Sequence, residues 1–284
     1  MIITNIRKSL VSFFLVMLLF VNPVGAKTLK FAQLTDIHFS PEGKNESSRD
    51  VSYSAKNLMF AINSINKQDV SFAVFLGDNI DKSRPENLLA FLRTTQSLKI
   101  PYYLVIGNHD SYKLTGIPKE DYVKAIKLYN QNVKSDKPYY YFCPNKDVIA
   151  IVVDGATTFA PSTHGLYTPE MLNWLDNVLT KNQDKIALIF QHFPLIPPED
   201  NYSHTTLYPD KYLELLIKHK NIALISSGHF HSDKVTIDEN GIYHISVPSL
   251  LAKPSIYEVV EINYEKQRFQ NPTDVKININ RIPI

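Results

Sequence analysis

Five short apolar runs in this chain are each followed within three residues by aspartate, asparagine or histidine. The runs have the length of buried strands and occupy residues 29–34, 70–76, 102–106, 186–190 and 222–226. Segments with helical spacing of apolar residues lie between most of them, and strands that alternate with helices favour an α/β fold. Because ligands in such folds bind beyond the carboxyl ends of the strands, we expect these polar residues to meet at one edge.

The segments between and after these runs are predicted to form further helices and strands. Helices are predicted at residues 58–65, 85–98, 122–129 and 169–179. A further buried strand is predicted at residues 149–153. After Gly228, short apolar runs flank a turn signal at Asn240-Gly241, which predicts a β-hairpin, and residues 257–264 continue in strands. The sequence therefore predicts one α/β domain with two facing sheets rather than a single doubly wound sheet.

The polar residues that follow the five runs are of the types that bind metal cations. They are Asp36, His38, Asp78, Asp81, Asn108, His109, His192, His229 and His231. Carboxylates, imidazoles and an amide oxygen bind ions such as iron, manganese or zinc, and no thiolate is among them. Asp-x-His and His-x-His place two side chains on the same side of an extended segment, so that both can act as ligands. The sequence therefore predicts a metal site at the strand ends.

Residues 1–26 have the pattern of a secretory signal peptide. Two basic residues precede an apolar stretch at residues 10–21, and small residues stand just before Lys27, where a signal peptidase would cut. The apolar stretch has 12 residues, whereas a membrane-spanning helix needs about 20. We therefore expect export to the periplasm or secretion, with residues 27–284 as the mature domain and no stable membrane span. An uncleaved N-terminal anchor is the alternative.

Composition excludes several other kinds of site. The single cysteine, Cys143, excludes an intramolecular disulfide framework and any cysteine-rich zinc or iron–sulfur site. The formal charge is +2, and removal of Arg7 and Lys8 with the signal peptide brings it to 0. Because no long basic run remains, we expect no nucleic-acid-binding surface.

In order along the chain, the five polar clusters match the five motifs of the calcineurin-like metallophosphoesterases, so the sequence resembles that family. The matching segments are Asp36-x-His38, Gly77-Asp78-x-x-Asp81, Gly107-Asn108-His109-Asp110, His192 and Gly228-His229-x-His231. The match covers residues 29–231 and leaves residues 232–284 as a β-rich C-terminal part of the same domain. The resemblance implies a four-layer α/β/β/α sandwich, in which two facing mixed sheets are flanked by helices.

The resemblance also implies a centre for two divalent or trivalent metal ions, of iron, manganese or zinc. The residues implied for the first ion are Asp36, His38, Asp78 and His231. The residues implied for the second are the bridging Asp78 with Asn108, His192 and His229. A metal-bridging hydroxide would attack phosphorus directly. His109, oriented by Asp81, would act as the acid or stabilise the transition state, which makes the chain a metal-dependent phosphoric ester hydrolase.

The substrate stays open at this point. The third and fifth motifs are similar to those of bacterial cyclic-nucleotide phosphodiesterases, whereas export argues against a cytoplasmic second messenger. A nonspecific phosphatase or nucleotidase for small-molecule phosphate esters is the alternative within the enzyme class. A non-catalytic metal-binding scaffold of the same fold is the rival outside it, and retention of every ligand favours the enzyme. One departure is Lys82, which stands where protein phosphatases of the family carry a phosphate-binding arginine.

Overall fold

The computed structural model describes residues 26–44, 49–199, 201–265, 271 and 274–284. The predicted signal peptide lies outside these residues, apart from Ala26, which begins the first strand. The strands are β1 (Ala26–Leu34), β2 (Phe72–Phe75), β3 (Tyr102–Leu104), β4 (Tyr140–Asn145), β5 (Val148–Val152), β6 (Ile186–Phe190), β7 (Ile222–Ser227), β8 (Lys234–Ile237), β9 (Tyr243–Ser246), β10 (Ile256–Glu265) and β11 (Lys276–Pro283). The helices are α1 (Ser54–Ile65), α2 (Pro85–Thr95), α3 (Lys119–Tyr129), α4 (Pro169–Lys181) and α5 (Asp210–Lys218). None of the described helices combines the length and the apolar character needed to cross a bilayer.

The strands form two mixed sheets. The first has the order β11-β10-β1-β2-β3, in which β1, β2 and β3 are parallel and β10 and β11 pair antiparallel with their neighbours. The second has the order β4-β5-β6-β7-β9-β8, with a parallel centre and antiparallel pairs at both edges. Within each sheet the parallel strands end on the same side, which collects the turns that carry the predicted ligands.

The two sheets face each other, and helices cover their outer faces. Side chains alternate along a strand, so that Ile149 of β5 joins the apolar cluster of α4 and α5 while its neighbours face the first sheet. Between the sheets, the ring centroids of Phe31 in β1 and Phe190 in β6 are 5.4 Å apart. On the other face of the first sheet, Phe75 of β2 packs on Phe91 of α2 at 5.7 Å. This α/β/β/α arrangement confirms the predicted fold class.

Helix α5 and strand β11 are among the elements that the sequence analysis does not predict. Tyr212, Leu215 and Leu216 of α5 are buried, and their i, i+3, i+4 spacing is the helical pattern. Strand β11 pairs antiparallel with β10, and its isoleucines are half-buried while its other residues are exposed. The hairpin predicted around Asn240-Gly241 is present as the antiparallel pair β8 and β9. Gly241 takes a φ of 82° in its turn, an angle that glycine adopts without steric cost.

A buried carboxylate takes part in a chain of hydrogen bonds between the sheets. Glu258 of β10 is completely buried, and its Oε2 accepts a 2.7 Å hydrogen bond from the side-chain amide of Gln33 in β1. The carbonyl oxygen of that amide accepts a 2.7 Å hydrogen bond from the hydroxyl of Ser226 in β7. Burial raises the pKa of Glu258 to about 7, and the hydrogen bond from Gln33 offsets only part of this rise.

Replacing Glu258 with glutamine is expected to stabilise the protein at alkaline pH. Because the pKa of Glu258 is about 7 in the folded protein and 4.5 as an ordinary glutamate, the folded state holds one more proton between these values. The free energy of unfolding therefore falls as pH rises through this window, by about 3 kcal/mol. Urea unfolding at pH 5 and pH 8 measures this fall, which Glu258→Gln should lack. A difference between wild type and variant that does not change with pH would contradict the assignment.

Candidate metal centre

The turns after β1, β2 and β7 hold their polar residues in left-handed backbone conformations. The φ angles are 49° at Asp36, 43° at His38, 51° at Asp78, 71° at His229 and 57° at His231. Residues other than glycine rarely adopt such angles, and those that do cluster at functional sites. The first two turns are tied together, because the Asp36 N–H donates to the Gly77 carbonyl at 3.0 Å and the His38 N–H donates to the Asp78 carbonyl at 2.9 Å.

Two glycines allow the ends of β2, β3 and β6 to approach one another. A Cβ atom at Gly107 would lie 2.2 Å from Asp78 Oδ1, and one at Gly77 would lie 2.6 Å from His192 Nδ1. Neither position has room for a side chain, and Gly77 also takes a φ of 97°. The glycines of the second and third motifs therefore allow the side chains of Asp78 and His192 to meet.

The first ligand group comprises Asp36, His38 and His231. His231 Nε2 lies 3.1 Å from Asp36 Oδ1, and His38 Nε2 lies 4.0 Å from the same oxygen. Asp36 Oδ2 instead accepts hydrogen bonds from the Thr35 hydroxyl at 2.7 Å and the His229 N–H at 2.8 Å. These bonds fix the carboxylate so that Oδ1 is the oxygen presented to the two imidazoles.

The second ligand group comprises Asp78, Asn108, His192 and His229. His192 Nε2 lies 3.4 Å from Asp78 Oδ2 and 3.3 Å from Asn108 Oδ1. On its other side, His192 Nδ1 donates to the Leu76 carbonyl at 2.8 Å, and His229 Nε2 donates to the Thr163 carbonyl at 2.8 Å. Because a carbonyl oxygen only accepts, each ring has its opposite nitrogen available as a ligand, an arrangement typical of metal-binding histidines.

Asp78 lies between the two groups. Its Oδ2 is 3.4 Å from His192 Nε2 in the second group and 3.8 Å from His38 Nε2 in the first. Its Oδ1 accepts a 2.9 Å hydrogen bond from the His109 N–H, which fixes the orientation of the carboxylate. One oxygen that reaches imidazoles of both groups is the arrangement that a bridging ligand requires.

Several buried atoms of the site have no hydrogen-bond partner among the described residues. These atoms are both ring nitrogens of His38 and Asp36 Oδ1, whose 3.1 Å ion-pair contact with His231 Nε2 is not a hydrogen bond by its geometry. A buried polar atom left unsatisfied costs about 1–3 kcal/mol, and coordination of a cation would remove that cost. Because the surrounding donors are carboxylates, imidazoles and an amide oxygen, the residues fit divalent first-row metal ions.

The electrostatics of the site hold most ligands in the protonation state that binds metals. Burial alone would raise the pKa values of Asp36 and Asp78, but the neighbouring histidines outweigh burial and lower both. Burial lowers the pKa of His38 to about 3 and that of His229 to about 4. Burial would also lower the pKa of His192, but the charge and hydrogen bond of Asp78, the charge of Asp36 and the hydrogen bond to Leu76 together outweigh burial and raise this pKa to about 9. His192 therefore has to release a proton before it can coordinate a metal.

His109 and Asp81 lie beside the first group, next to Arg49. Asp81 Oδ1 is 3.6 Å from His38 Nδ1, and His38, Asp81 and His109 offer a third set of atoms close enough to hold a cation. The Arg49 guanidinium already contacts this set, with Nη1 3.4 Å from Asp81 Oδ1 and Nη2 2.9 Å from His109 Nε2. Its positive charge opposes a metal ion at this third position.

The contact between Asp81 and His109 runs through the main chain. His109 Nδ1 donates to the Asp81 carbonyl oxygen at 3.1 Å, while the Asp81 carboxylate lies close to His38 and Arg49. The second motif identifies Asp81 as a site residue. It does not show whether the main-chain carbonyl or the side-chain carboxylate of Asp81 contacts His109. Arg49 is a residue that the sequence analysis missed. It lies in a polar segment between β1 and α1, not directly after a strand, so no motif or periodicity marks it.

The ligand groups open into a cleft of about 370 Å³, a volume suited to a small molecule. The residues that line it besides the metal ligands are Arg49, His109, Thr163, Glu199, Asn201, His204, Phe230 and Ser232. His204 packs beside the second group, with its ring centroid 5.3 Å from that of His229. A substrate in this cleft would therefore contact both ligand groups, Arg49 and the segment that follows His192.

The family comparison agrees with the geometry of this site. The family model for calcineurin-like phosphoesterases matches residues 29–233. The chain belongs to the calcineurin-like phosphoesterase family. The matched segment begins in β1 and ends just beyond His231, so that it contains every residue of both ligand groups. This membership confirms the resemblance expected from the five motifs.

Relatives of this calcineurin-like phosphoesterase include two bacterial proteins named as diesterases. It is 24% identical over 219 residues to a probable glycerophosphodiester phosphodiesterase of Arcobacter nitrofigilis, with 72% of each chain covered. It is 23% identical over 236 residues to a probable cyclic nucleotide phosphodiesterase of Fibrobacter succinogenes, with 81% of this chain and 84% of the relative covered. The fold is similar to the crystal structure of a dimetal phosphatase from Danio rerio, at a TM-score of 0.70 and 16% identity over 88% of this chain and 98% of that one. The chain is accordingly a metal-dependent hydrolase of phosphate esters.

Proposed function

We propose that this phosphoesterase is an exported enzyme that hydrolyses small-molecule phosphodiesters by direct attack of water on phosphorus. The observation that carries the proposal is the position of Asp78, whose Oδ2 lies within 3.8 Å of imidazoles from both ligand groups. Two metal ions held there would supply Lewis acidity to the phosphoryl oxygens and would activate water as the nucleophile. Asp36, His38, Asp78 and His231 would hold one ion; Asp78, Asn108, His192 and His229 would hold the other.

The proton for the leaving group would come from His109. Its ring lines the cleft, and its Nδ1–H is fixed by the Asp81 carbonyl at 3.1 Å. Nε2 is therefore the nitrogen that would take up a proton from solvent, which makes the ring doubly protonated, and then give it to the departing alkoxide, a role typically worth about 10²–10⁴-fold in rate. Because the attacking group is water, the reaction needs no serine or cysteine nucleophile.

The charge of the cleft supports a diester rather than a monoester. Among the described residues that line the cleft, Arg49 is the only lysine or arginine, and the negative charge of Glu199 opposes its positive charge. A phosphomonoester carries about −1.5 to −2 charges near neutral pH, whereas a diester carries one. A cleft with little positive charge beyond the metal site suits the monoanion. Both bacterial relatives are named as probable phosphodiesterases, which supports the same class; a phosphatase or nucleotidase is the alternative.

Hydrolysis of bis-p-nitrophenyl phosphate and p-nitrophenyl phosphate tests this proposal. We expect chelator-treated protein to be inactive, Mn²⁺ to restore activity, and the diester to be cleaved faster than the monoester. Chelator-treated protein assayed without added metal provides the background rate. Faster cleavage of the monoester would favour the phosphatase or nucleotidase. No hydrolysis of either ester by protein with bound metal would indicate a non-catalytic scaffold instead.

Export is the part of the proposal that depends on residues 1–26. Their basic start, short apolar stretch and small residues before Lys27 support cleavage by a signal peptidase. Sequencing the N-terminus of protein recovered from the periplasm or the medium tests this directly, with Lys27 as the expected first residue. Recovery of the intact chain from the membrane fraction would support an uncleaved anchor.

A further inference from the structure

Arg49 contacts His109 and Asp81 but lies outside the five motifs that the sequence shares with the family. Among the described residues that line the cleft, it is the only lysine or arginine. Its side chain is 31% exposed, so it is accessible from the cleft. Lys82, which stands in the place of the phosphate-binding arginine of protein phosphatases, does not line the described part of the cleft. Arg49 therefore brings a guanidinium to the site from a different segment of the chain.

The hydrogen bonds around His109 define what Arg49 does to that ring. His109 Nδ1 is 3.1 Å from the Asp81 carbonyl oxygen, which only accepts, so Nδ1 carries the hydrogen. Arg49 Nη2 is 2.9 Å from His109 Nε2, and because a guanidinium only donates, Nε2 is the acceptor. Arg49 thus occupies the ring nitrogen that has to face the leaving oxygen during hydrolysis.

Productive binding of a substrate requires this contact to change. A leaving oxygen that receives a proton from His109 lies within about 3 Å of Nε2, and hence within about 6 Å of the present position of Arg49 Nη2. An anionic phosphoryl oxygen is a stronger acceptor for a guanidinium than a neutral imidazole. The guanidinium also stays attached to Asp81 through Nη1 at 3.4 Å, which keeps it close to the reacting group.

We propose that Arg49 is a substrate-binding residue that transfers its hydrogen bond from His109 Nε2 to a non-bridging oxygen of the substrate phosphate. The transfer offsets the negative charge of the monoanion and frees Nε2 to take up from solvent the proton that it then gives to the leaving oxygen. Arg49 thus provides a guanidinium contact to phosphate from the segment between β1 and α1, whereas Lys82 of the second motif provides none. This inference rests on the proposed hydrolysis of phosphate esters.

Binding of inorganic phosphate to the Mn²⁺-loaded protein tests the proposal without requiring turnover. We expect Arg49→Gln to weaken phosphate binding, measured by calorimetry, by about 10- to 100-fold, the range for a lost hydrogen bond to a charged group. The KM for bis-p-nitrophenyl phosphate should rise in parallel, while metal content stays unchanged. Arg49→Lys, which keeps the charge, should recover part of the affinity. Arg93→Gln is the matched control, because Arg93 is exposed in the last turn of α2.

The outcomes separate this inference from the function itself. Unchanged phosphate affinity with a lower kcat would mean that Arg49 acts only by positioning His109, and would overturn the proposal. Equal phosphate affinity in Arg49→Gln and Arg93→Gln would overturn it as well, even if wild-type protein hydrolyses both esters. If wild-type protein hydrolysed neither ester, the proposed function would fail, whereas a loss of phosphate affinity confined to the Arg49 variants would still support phosphate binding by Arg49.

Discussion

Asp78→Asn protein is expected to lose at least about 10³-fold in kcat/KM and to bind fewer metal ions than wild type. Asp78 Oδ2 is the oxygen that lies 3.4 Å from His192 Nε2 and 3.8 Å from His38 Nε2. Replacing this charged oxygen by an amide group would weaken both proposed ion sites at once, and metal ions at such sites supply several kcal/mol of transition-state stabilisation. At 1.36 kcal/mol for each factor of ten, such a loss corresponds to about 10³-fold or more.

Elemental analysis of the metal per chain and kinetics on the diester measure this effect together. Asparagine retains an oxygen that can accept the 2.9 Å hydrogen bond from the His109 N–H, so the local fold should survive. Asp176→Asn is the matched control, because Asp176 lies on α4 and pairs with Lys218 at 2.7 Å and His219 at 2.6 Å. Near wild-type metal content and activity in Asp78→Asn would contradict a bridging role for Asp78.

The sequence was sufficient to predict the fold class and the convergence of the site because both depend on local pattern. The apolar runs that form β1, β2, β3, β6 and β7 are each followed by candidate ligands. Because parallel strands end at the same edge of a sheet, these ligands come together in the fold. Helix α5 was equally visible in principle, through the spacing of Tyr212, Leu215 and Leu216. Element ends differ by a few residues from prediction, since β3 ends at Leu104 rather than Ile106.

What the sequence could not predict depends on long-range side-chain geometry. The contact of Arg49 with His109 joins residues 60 positions apart, and nothing near Arg49 in the sequence marks it as part of a site. The second motif likewise identifies Asp81 but does not show whether its carboxylate or its carbonyl oxygen contacts His109. Glu258 is another such case, because its burial beside Gln33 arises only when β10 pairs with β1.

His109→Ala protein is expected to lose about 10²–10⁴-fold in kcat while retaining its metal ions. The reason is that His109 lines the cleft but belongs to neither ligand group. Its ring stands edge-on to that of His38, at 4.8 Å between centroids, and its Nδ1–H is held by the Asp81 carbonyl. Removal of the ring should therefore remove the proton donor and leave the ligands of both groups in place.

The metal content of His109→Ala protein distinguishes two roles for His109. One is the role of an acid, and the other is that of a metal ligand in the cluster of His38, Asp81 and His109. If His109 were a ligand, its loss would release an ion, and His109→Ala would resemble Asp78→Asn in elemental analysis. If it is the acid, metal content stays at the wild-type value and the loss is smaller for esters with better leaving groups, which need less protonation. His219→Ala is the matched control, because His219 pairs with Asp176 and does not line the described part of the cleft. The charge of Arg49, 2.9 Å from His109 Nε2, opposes a metal ion at this cluster, so unchanged metal content is the expected result.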